Sequence, residues 1–393
     1  MRALLLVVSI VCATASASAQ RTYAGPFTLG TLQSRVVSEA SGIACQPDSS
    51  SLLWLINDSG DKPQIYAVAP RGDVRFKIRL TNATNVDWED LALCNSTTPG
   101  QYDLYVADIG DNNAKRGNVT IYRASTPHDS IKDLPMDTDG LGVFSDTAEV
   151  YAFTYPDGPR DAETFLVDPR TRDFYIISKR DRQARIYRAA APHRHGTTRT
   201  LEFVSALPVS MLTAGDISHD GSMIILKNYL YTWQWERHLN ESVADALQRP
   251  GMRVAYMPEE QGEAICFTRD DRGYITTSER ENGGSNPPLY VYLRSDDARG
   301  TMLQHDAKLP SISIAPTPKK PGFMTLRYVV PEVARVSISV VNMILMTMQT
   351  VDEDSGEAGV QEREIDVRRL PQGDYAVVVK SNTFTVSVAF TKQ

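Results

Sequence analysis

The chain has 393 residues, 42% of them hydrophobic and 23% charged, a composition that supports a buried core and excludes an intrinsically disordered protein. Its 41 basic residues against 48 acidic ones leave a net charge of −7, which argues against a general nucleic-acid binder. No segment reaches the roughly 20 consecutive apolar residues of a membrane-spanning helix, so no transmembrane span is expected.

The first element, "MRALLLVVSIVCATASASAQ", carries one Arg, an apolar run of about ten residues and the small-residue triplet Ala17-Ser18-Ala19. This pattern predicts a signal peptide over 1–19, cleavage before Gln20, and export. Cys12 leaves with it, and Cys45, Cys94 and Cys266 remain. No two of these share a CxxC spacing, so no cysteine metal site is expected. Two states stay open: three small buried apolar residues, or a Cys45–Cys94 disulfide with one thiol left over.

From 20 to 310 the chain repeats itself. Five units open on small or acidic residues that feed a short apolar strand: "SGIAC" at Ser41, "WEDLAL" at Trp88, "DAETFLV" at Asp161, "AGDISH" at Ala214 and "QGEAICF" at Gln261. A second strand follows in each ("SLLWLIND", "YDLYVAD", "RDFYIISK", "SMIILKN", "RGYITTSE"), then an aromatic third and a weaker fourth. Four short strands in a repeat of about 40–50 residues predict β-propeller blades. Five blades are visible and a degenerate sixth is allowed. Residues 22 to 38 can close the ring as the outer strand of the last blade, and "STPHDSIKDLPMDTDGLGVFSD" is expected to loop out of the second.

In a propeller the residues that enter the innermost strand and those that leave the second strand share one face. On that basis Glu89, Glu163, Asp216 and Glu263 are predicted to ring one mouth of the channel, with Ser41 in the first blade's slot. Asp58, Asp108, Lys179, Lys227 and Glu279 are predicted to form a wider ring outside them. Like charges at this range raise one another's pKa values, so something must offset them. Ca²⁺ suits carboxylates drawn from several blades, with Glu89, Glu163, Asp216 and Glu263 as candidate ligands. Lys179, Arg180, Lys227 and Arg280 are the basic alternative, and capping of strand ends and turns is the third. "DSGDK" at Asp58 and "DIGDNN" at Asp108 lack the ligand spacing of an EF-hand.

No G-x-S-x-G elbow and no H-E-x-x-H occurs. His193 and His195 are expected in an exposed loop, His219 is a candidate for the channel, and Trp233 and Trp235 at strand spacing are expected to pack within a blade.

Residues 311–321, with Pro316, Pro318 and Pro321, are expected to form a linker. Beyond it, 322–393 has the strand and turn pattern of a small immunoglobulin-like β-sandwich. Its opening "LRYVVPEVARVSISVVN", the L-x-x-G-x-Y element Leu370, Gly373 and Tyr375, and the final strand ending in Lys392 resemble the C-terminal sorting domain of type IX secretion cargo in Bacteroidetes-type bacteria. The chain departs from that family at Asn342-Met343-Ile344, where a Gly-containing turn is usual. The resemblance implies passage across the outer membrane through the type IX machinery, then release or anchoring at the cell surface. The propeller region loosely resembles calcium-dependent phytases and lactonase-like hydrolases through its Asp and Glu residues before the inner strands. Two functions stay open: a propeller that binds a ligand or partner on its acidic face through Ca²⁺, and a calcium-dependent phosphoesterase or lactonase using the same face.

Overall fold

The computed structural model describes residues 23–33, 36–48, 50–127, 134–280, 286–294, 312–330, 333–343, 346–381 and 385–393, without the side chains of 352–356. The expected signal peptide, 1–19, lies outside them.

Five sheets form a propeller. Blade one runs outward from Ala40–Cys45 through Leu53–Asn57 and Gln64–Val68 to Val74–Leu80. Blade two uses Trp88–Asn95, Tyr102–Asp108, Val119–Ser125 and Glu149–Thr154. Blade three uses Ala162–Val167, Phe174–Ser178, Ala184–Ala189 and Glu202–Leu207. Blade four uses Leu212–Ile217, Met223–Asn228, Thr232–Glu236 and Met252–Val254, with the short helix Val243–Gln248 before its last strand. Blade five uses Ala264–Phe267, Gly273–Thr277 and Pro288–Arg294, and its outer strand is Tyr23–Thr31 from the start of the chain.

Each innermost strand touches its two neighbours in turn, and the fifth touches the first, so the ring closes with five blades. The first two strands of each blade are packed on both faces by adjacent blades, which is why "LWLIN" and "FYIIS" are buried throughout and show no polar alternation.

The long segment inside blade two does more than loop out. Gly142–Asp146 returns to blade one and pairs in parallel with Val74–Leu80 as a fifth strand. Thr198–Thr200 of blade three does the same to Glu149–Thr154 of blade two. The fully buried Lys77 anchors the first of these: its ammonium contacts Asp137, and Asp139 at 2.8 Å. Replacing Lys77 with Met should cost about 1.5–3 kcal/mol, the range for hydrogen bonds to a charged group, because both carboxylates can turn to water. A urea midpoint unchanged from wild type would mean that the added strand holds without its ion pair.

Other polar groups tie blades together from inside. Asp90 accepts from its neighbour Leu91 N–H and, across the interface, from Phe165 N–H, both at 2.9 Å. Asp216 repeats this between blades four and five, accepting from Ile217 and Phe267 N–H at 2.8 Å each. A burial of this kind without such donors would be costly. Arg237 of blade four forks onto Asp168 of blade three, with N–O distances of 2.8 and 2.7 Å. At the end of the channel away from the inner-strand starts, His219 lies 2.7 Å from Asp271 of blade five and 3.1 Å from the Cys45 carbonyl of blade one. His219 therefore bridges blades four, five and one at that end. His193 is also structural: it is stacked on Phe174 at 3.6 Å and bonded to the Arg172 carbonyl. Cys45, Cys94 and Cys266 are free and buried, so no disulfide joins Cys45 to Cys94.

Two further sheets pack as the sandwich. One joins Ile312–Pro316, Phe323–Val330 and Gly359–Asp366; the other joins Thr347–Gly356, Ala334–Val341, Gly373–Lys380 and Thr385–Lys392. The stretch expected as a linker, 311–321, thus supplies a paired strand, because Ile312 and Ile314 have an apolar core to pack against. The sandwich is seated on blades four and five. Val341 and Ala376 join the apolar cluster of Leu230, Trp233 and Trp235, while Met257 joins the sandwich core. Ser387 donates to the Pro258 carbonyl at 2.5 Å and Tyr231 to Asp374 at 3.1 Å. Met343, at the departure from the sorting-domain pattern, packs against the same propeller surface.

Candidate metal centre at the channel mouth

Four inner strands begin with a register shift: between Ala40 and Gly42, Trp88 and Asp90, Ala162 and Thr164, and Leu212 and Ala214. The extra residue of each bulge is Ser41, Glu89, Glu163 or Thr213. Bulges re-aim side chains at the start of a strand, and here they set one residue per blade at the mouth. Glu263 precedes the inner strand of blade five in the same way.

This register corrects part of the expected ring. Blade four contributes Thr213, whose hydroxyl bonds the Gly262 carbonyl at 3.2 Å. Asp216 lies three residues deeper, occupied by the amides of Ile217 and Phe267. Asp108 pairs with Trp88 inside its sheet, one position before the residues that leave the strand. Its carboxylate accepts from the amides of Val86 and Asp87 at 3.3 and 3.2 Å and pairs with Arg116 at 2.7 Å, so it shapes the loop that carries Asp87. Lys227 likewise sits within its strand opposite Ala214.

Five carboxylates converge in two overlapping groups. Asp58, Asp87 and Glu89 have one oxygen each within 4.8 Å of one another, and so do Glu89, Asp161 and Glu163. Glu89 belongs to both. The first group is half-buried on its Asp58 and Asp87 side, and the second is buried. Asp87 and Asp161 were not among the residues expected from sequence, although each stands two positions before a bulge glutamate, in "DWE" and "DAE". That repeated D-x-E was the available signal.

Gly110 forms the floor. A methyl group on its Cα would overlap Glu89 Oε1 and Asp87 Oδ2, so both acids lie against bare backbone. The Gly110 N–H donates to the Asp87 carbonyl at 3.1 Å, and Arg116 bonds the Gly110 carbonyl at 2.8 Å.

Lys179 and Arg180 serve as internal counter-charges. Lys179 touches Glu163 Oε1, with Tyr229 Oη at 3.1 Å and Glu263 Oε1 at 3.6 Å. Tyr229 in turn donates to Glu263. Burial pulls the Lys179 ammonium down, and the Glu163 and Glu263 carboxylates outweigh it, leaving its pKa raised. Arg180 pairs with Asp161 at 2.5 Å and bonds Asn112. Lys227 donates to the Gly262 carbonyl and lies over the Tyr256 ring. The Arg280 amide bonds the Ser38 carbonyl at 2.7 Å.

These counter-charges leave the acids strongly perturbed. Burial, then Glu163, Asp58, Glu263 and Asp87, push Glu89 well above the usual carboxylate range. Burial and Glu263 raise Glu163 against the pull of Lys179. Burial carries Asp58 to about 7, and burial with Glu263 carries Glu279 to about 8. One oxygen stands out: Glu163 Oε2, on a residue 4% exposed, has no hydrogen-bond partner among the described residues. A buried carboxylate oxygen without a donor is the kind of group that a hard cation satisfies.

No family model matches the chain and no curated protein matches it. Among solved structures it is similar to PorZ, an essential bacterial surface component of the type-IX secretion system of Porphyromonas gingivalis, at 11% identity and a TM-score of 0.28, covering 94% of this chain and 50% of that one. This chain therefore spans half the length of the PorZ chain. It is also similar to Kuenenia stuttgartiensis hydrazine synthase (13% identity, TM-score 0.32, 77% and 79% covered). A third likeness is to the nidogen/laminin complex (8%, TM-score 0.30, 64% and 83%). Likenesses this distant carry no argument about function.

Proposed function

We propose that this chain is an exported β-propeller that captures a hard divalent cation, Ca²⁺ foremost, at its acidic channel mouth and binds a ligand or partner through it. The observation that carries this reading is the buried, unpartnered Glu163 Oε2 beside Glu89 and Asp161. Ca²⁺ accepts irregular oxygen ligation, and Glu89, Asp161 and Glu163 would supply three of its six to eight ligands, with Asp58 and Asp87 gathered on the other side of Glu89. Asp58 and Asp87 face the solvent side, where a bound ion keeps positions for an external ligand. The export step rests on the N-terminal segment and the C-terminal sorting-domain resemblance.

A calcium-dependent hydrolase would need cations free to neutralise an anionic substrate. Lys179 and Lys227 are buried and already bonded, and Arg180 is paired with Asp161. Their engagement favours binding over phosphate-ester chemistry. Turnover of a chromogenic phosphate ester or lactone by the pure calcium-loaded protein would reverse that preference.

The test is thermal unfolding with and without Ca²⁺ across pH. Asp58 and Glu279 have folded-state pKa values above the ordinary carboxylate values near 4. Their contribution to stability is thus fully present below about pH 4 and is lost as pH rises through about 7 and about 8. The calcium-free protein should lose stability from these groups over that range, and the gain on adding Ca²⁺ should grow over it. At a hundredfold excess over Kd the gain at pH 8 should be roughly 5–10 °C in Tm. Glu163→Gln should remove most of it. A calcium response that is absent at pH 8, or equal in wild type and Glu163→Gln, would defeat the reading.

A further inference from the structure

The two groups of carboxylates at the mouth differ in what offsets them. The inner group, Glu89, Asp161 and Glu163, has Lys179 in contact with Glu163 and Arg180 paired with Asp161 at 2.5 Å. The Asp111 amide also donates to Asp161, at 3.0 Å. Two protein cations thus stand against three acids on that side.

The outer group, Asp58, Asp87 and Glu89, has no such cover. No Lys, Arg or His among the described residues lies within ion-pair distance of these three acids. Arg116, whose charge reaches Asp87, is itself paired with Asp108 at 2.7 Å and bonded to the Gly110 carbonyl at 2.8 Å. Asp58 accepts from the neighbouring Ser59 amide. Glu89 is the decisive residue, because it belongs to both groups and is 3% exposed, yet no hydrogen-bond donor reaches its carboxylate among the described residues. It lies with Asp87 against the bare backbone of Gly110, which offers no side chain to either acid. A single divalent ion on the inner side would leave Asp58 and Asp87 without a positive charge of their own. A carboxylate has two oxygens and can serve two ions, and an all-oxygen donor set suits a hard cation.

We propose that the mouth is a binuclear centre: a second hard divalent cation is held by Asp58, Asp87 and Glu89, and Glu89 bridges the two ions. This rests on the calcium reading of the inner group and adds a separate site to it. The outer ion occupies the half-buried side of the mouth, so it binds the more weakly of the two.

Equilibrium dialysis of the full chain against radioactive Ca²⁺ at pH 8 should give two ions per chain. Asp87→Asn should remove the weaker ion and keep the tighter one, and Glu163→Gln should do the reverse. Glu89→Gln should weaken both ions at least about tenfold, equal to about 1.4 kcal/mol each. Mn²⁺, which also takes oxygen ligands, gives a readout that needs no variant. As the second equivalent binds to the wild-type protein, its electron paramagnetic resonance signal should change from that of an isolated ion to that of a spin-coupled pair. One ion per chain, lost in Glu163→Gln, would overturn the binuclear centre and leave the calcium reading standing; no bound ion at all would sink both. Two ions without spin coupling, or a folded Asp87→Asn protein that still holds two, would overturn the proposal as well.

Discussion

Arg237→Ala should lower the free energy of unfolding by about 3–5 kcal/mol, the cost of breaking a buried ion pair from one side. Arg237 and Asp168 are 2% and 1% exposed at their side chains. Asp168 also accepts from the Arg170 amide at 3.0 Å and the Thr171 hydroxyl at 2.9 Å, so it is fixed in place and cannot turn to water when the guanidinium is gone. The loss should fall on the joint between blades three and four. Asp168→Leu combined with Arg237→Met should cost far less than Arg237→Ala, because no uncompensated charge remains. Burial alone would raise the Asp168 pKa, but Arg237 and the neighbouring donors outweigh it and hold the carboxyl below its ordinary value. A depressed folded-state pKa contributes stability above about pH 4 and loses it as pH falls further. Arg237→Ala should accordingly flatten the acid limb of stability against pH. A loss under about 1 kcal/mol by urea denaturation would show that water reaches Asp168.

Gly110→Ala should abolish calcium-dependent stabilisation while leaving the propeller folded. The backbone at Gly110 is not in the left-handed region, so Ala is conformationally acceptable there. Its methyl group would overlap Glu89 Oε1 and Asp87 Oδ2, displacing the carboxylate common to both groups and one of its partners. Loss of two ligands from a site of this kind should weaken calcium at least about a hundredfold, equal to about 2.7 kcal/mol. Calcium titration followed by near-ultraviolet circular dichroism reads the affinity and the fold together. Calcium affinity within about threefold of wild type, or 0.7 kcal/mol, would place the ion elsewhere.

The architecture was largely legible because each blade repeats the same short strands, and because the first strand of the chain had no partner nearer than the last blade. The exchange of outer strands was not legible. Gly142–Asp146 pairs in parallel with a strand more than sixty positions earlier, and only Lys77 with Asp137 and Asp139 marks the place. At the mouth, Glu89, Glu163 and Glu263 followed from the repeat. Asp216 was misplaced because its aspartate resembles the others in composition, whereas the bulge that decides orientation falls at Thr213, three residues earlier. The seating of the sandwich on blades four and five was hidden as well, since Val341, Ala376 and Met257 look like ordinary core residues of their own domains.

The pairing of Tyr23–Thr31 with Pro288–Arg294 also sets an order of events in time. Phe27 meets Val291 about 260 residues later, which at 5–20 residues per second means a wait of roughly 13–50 s during synthesis. Until then blade five lacks its rim and the ring is open, so Glu263 is the last of the mouth acids to acquire a fixed distance from Asp58. The carboxylates of blades one to three can gather a counter-ion before that, and closure adds Glu263 to a mouth already assembled.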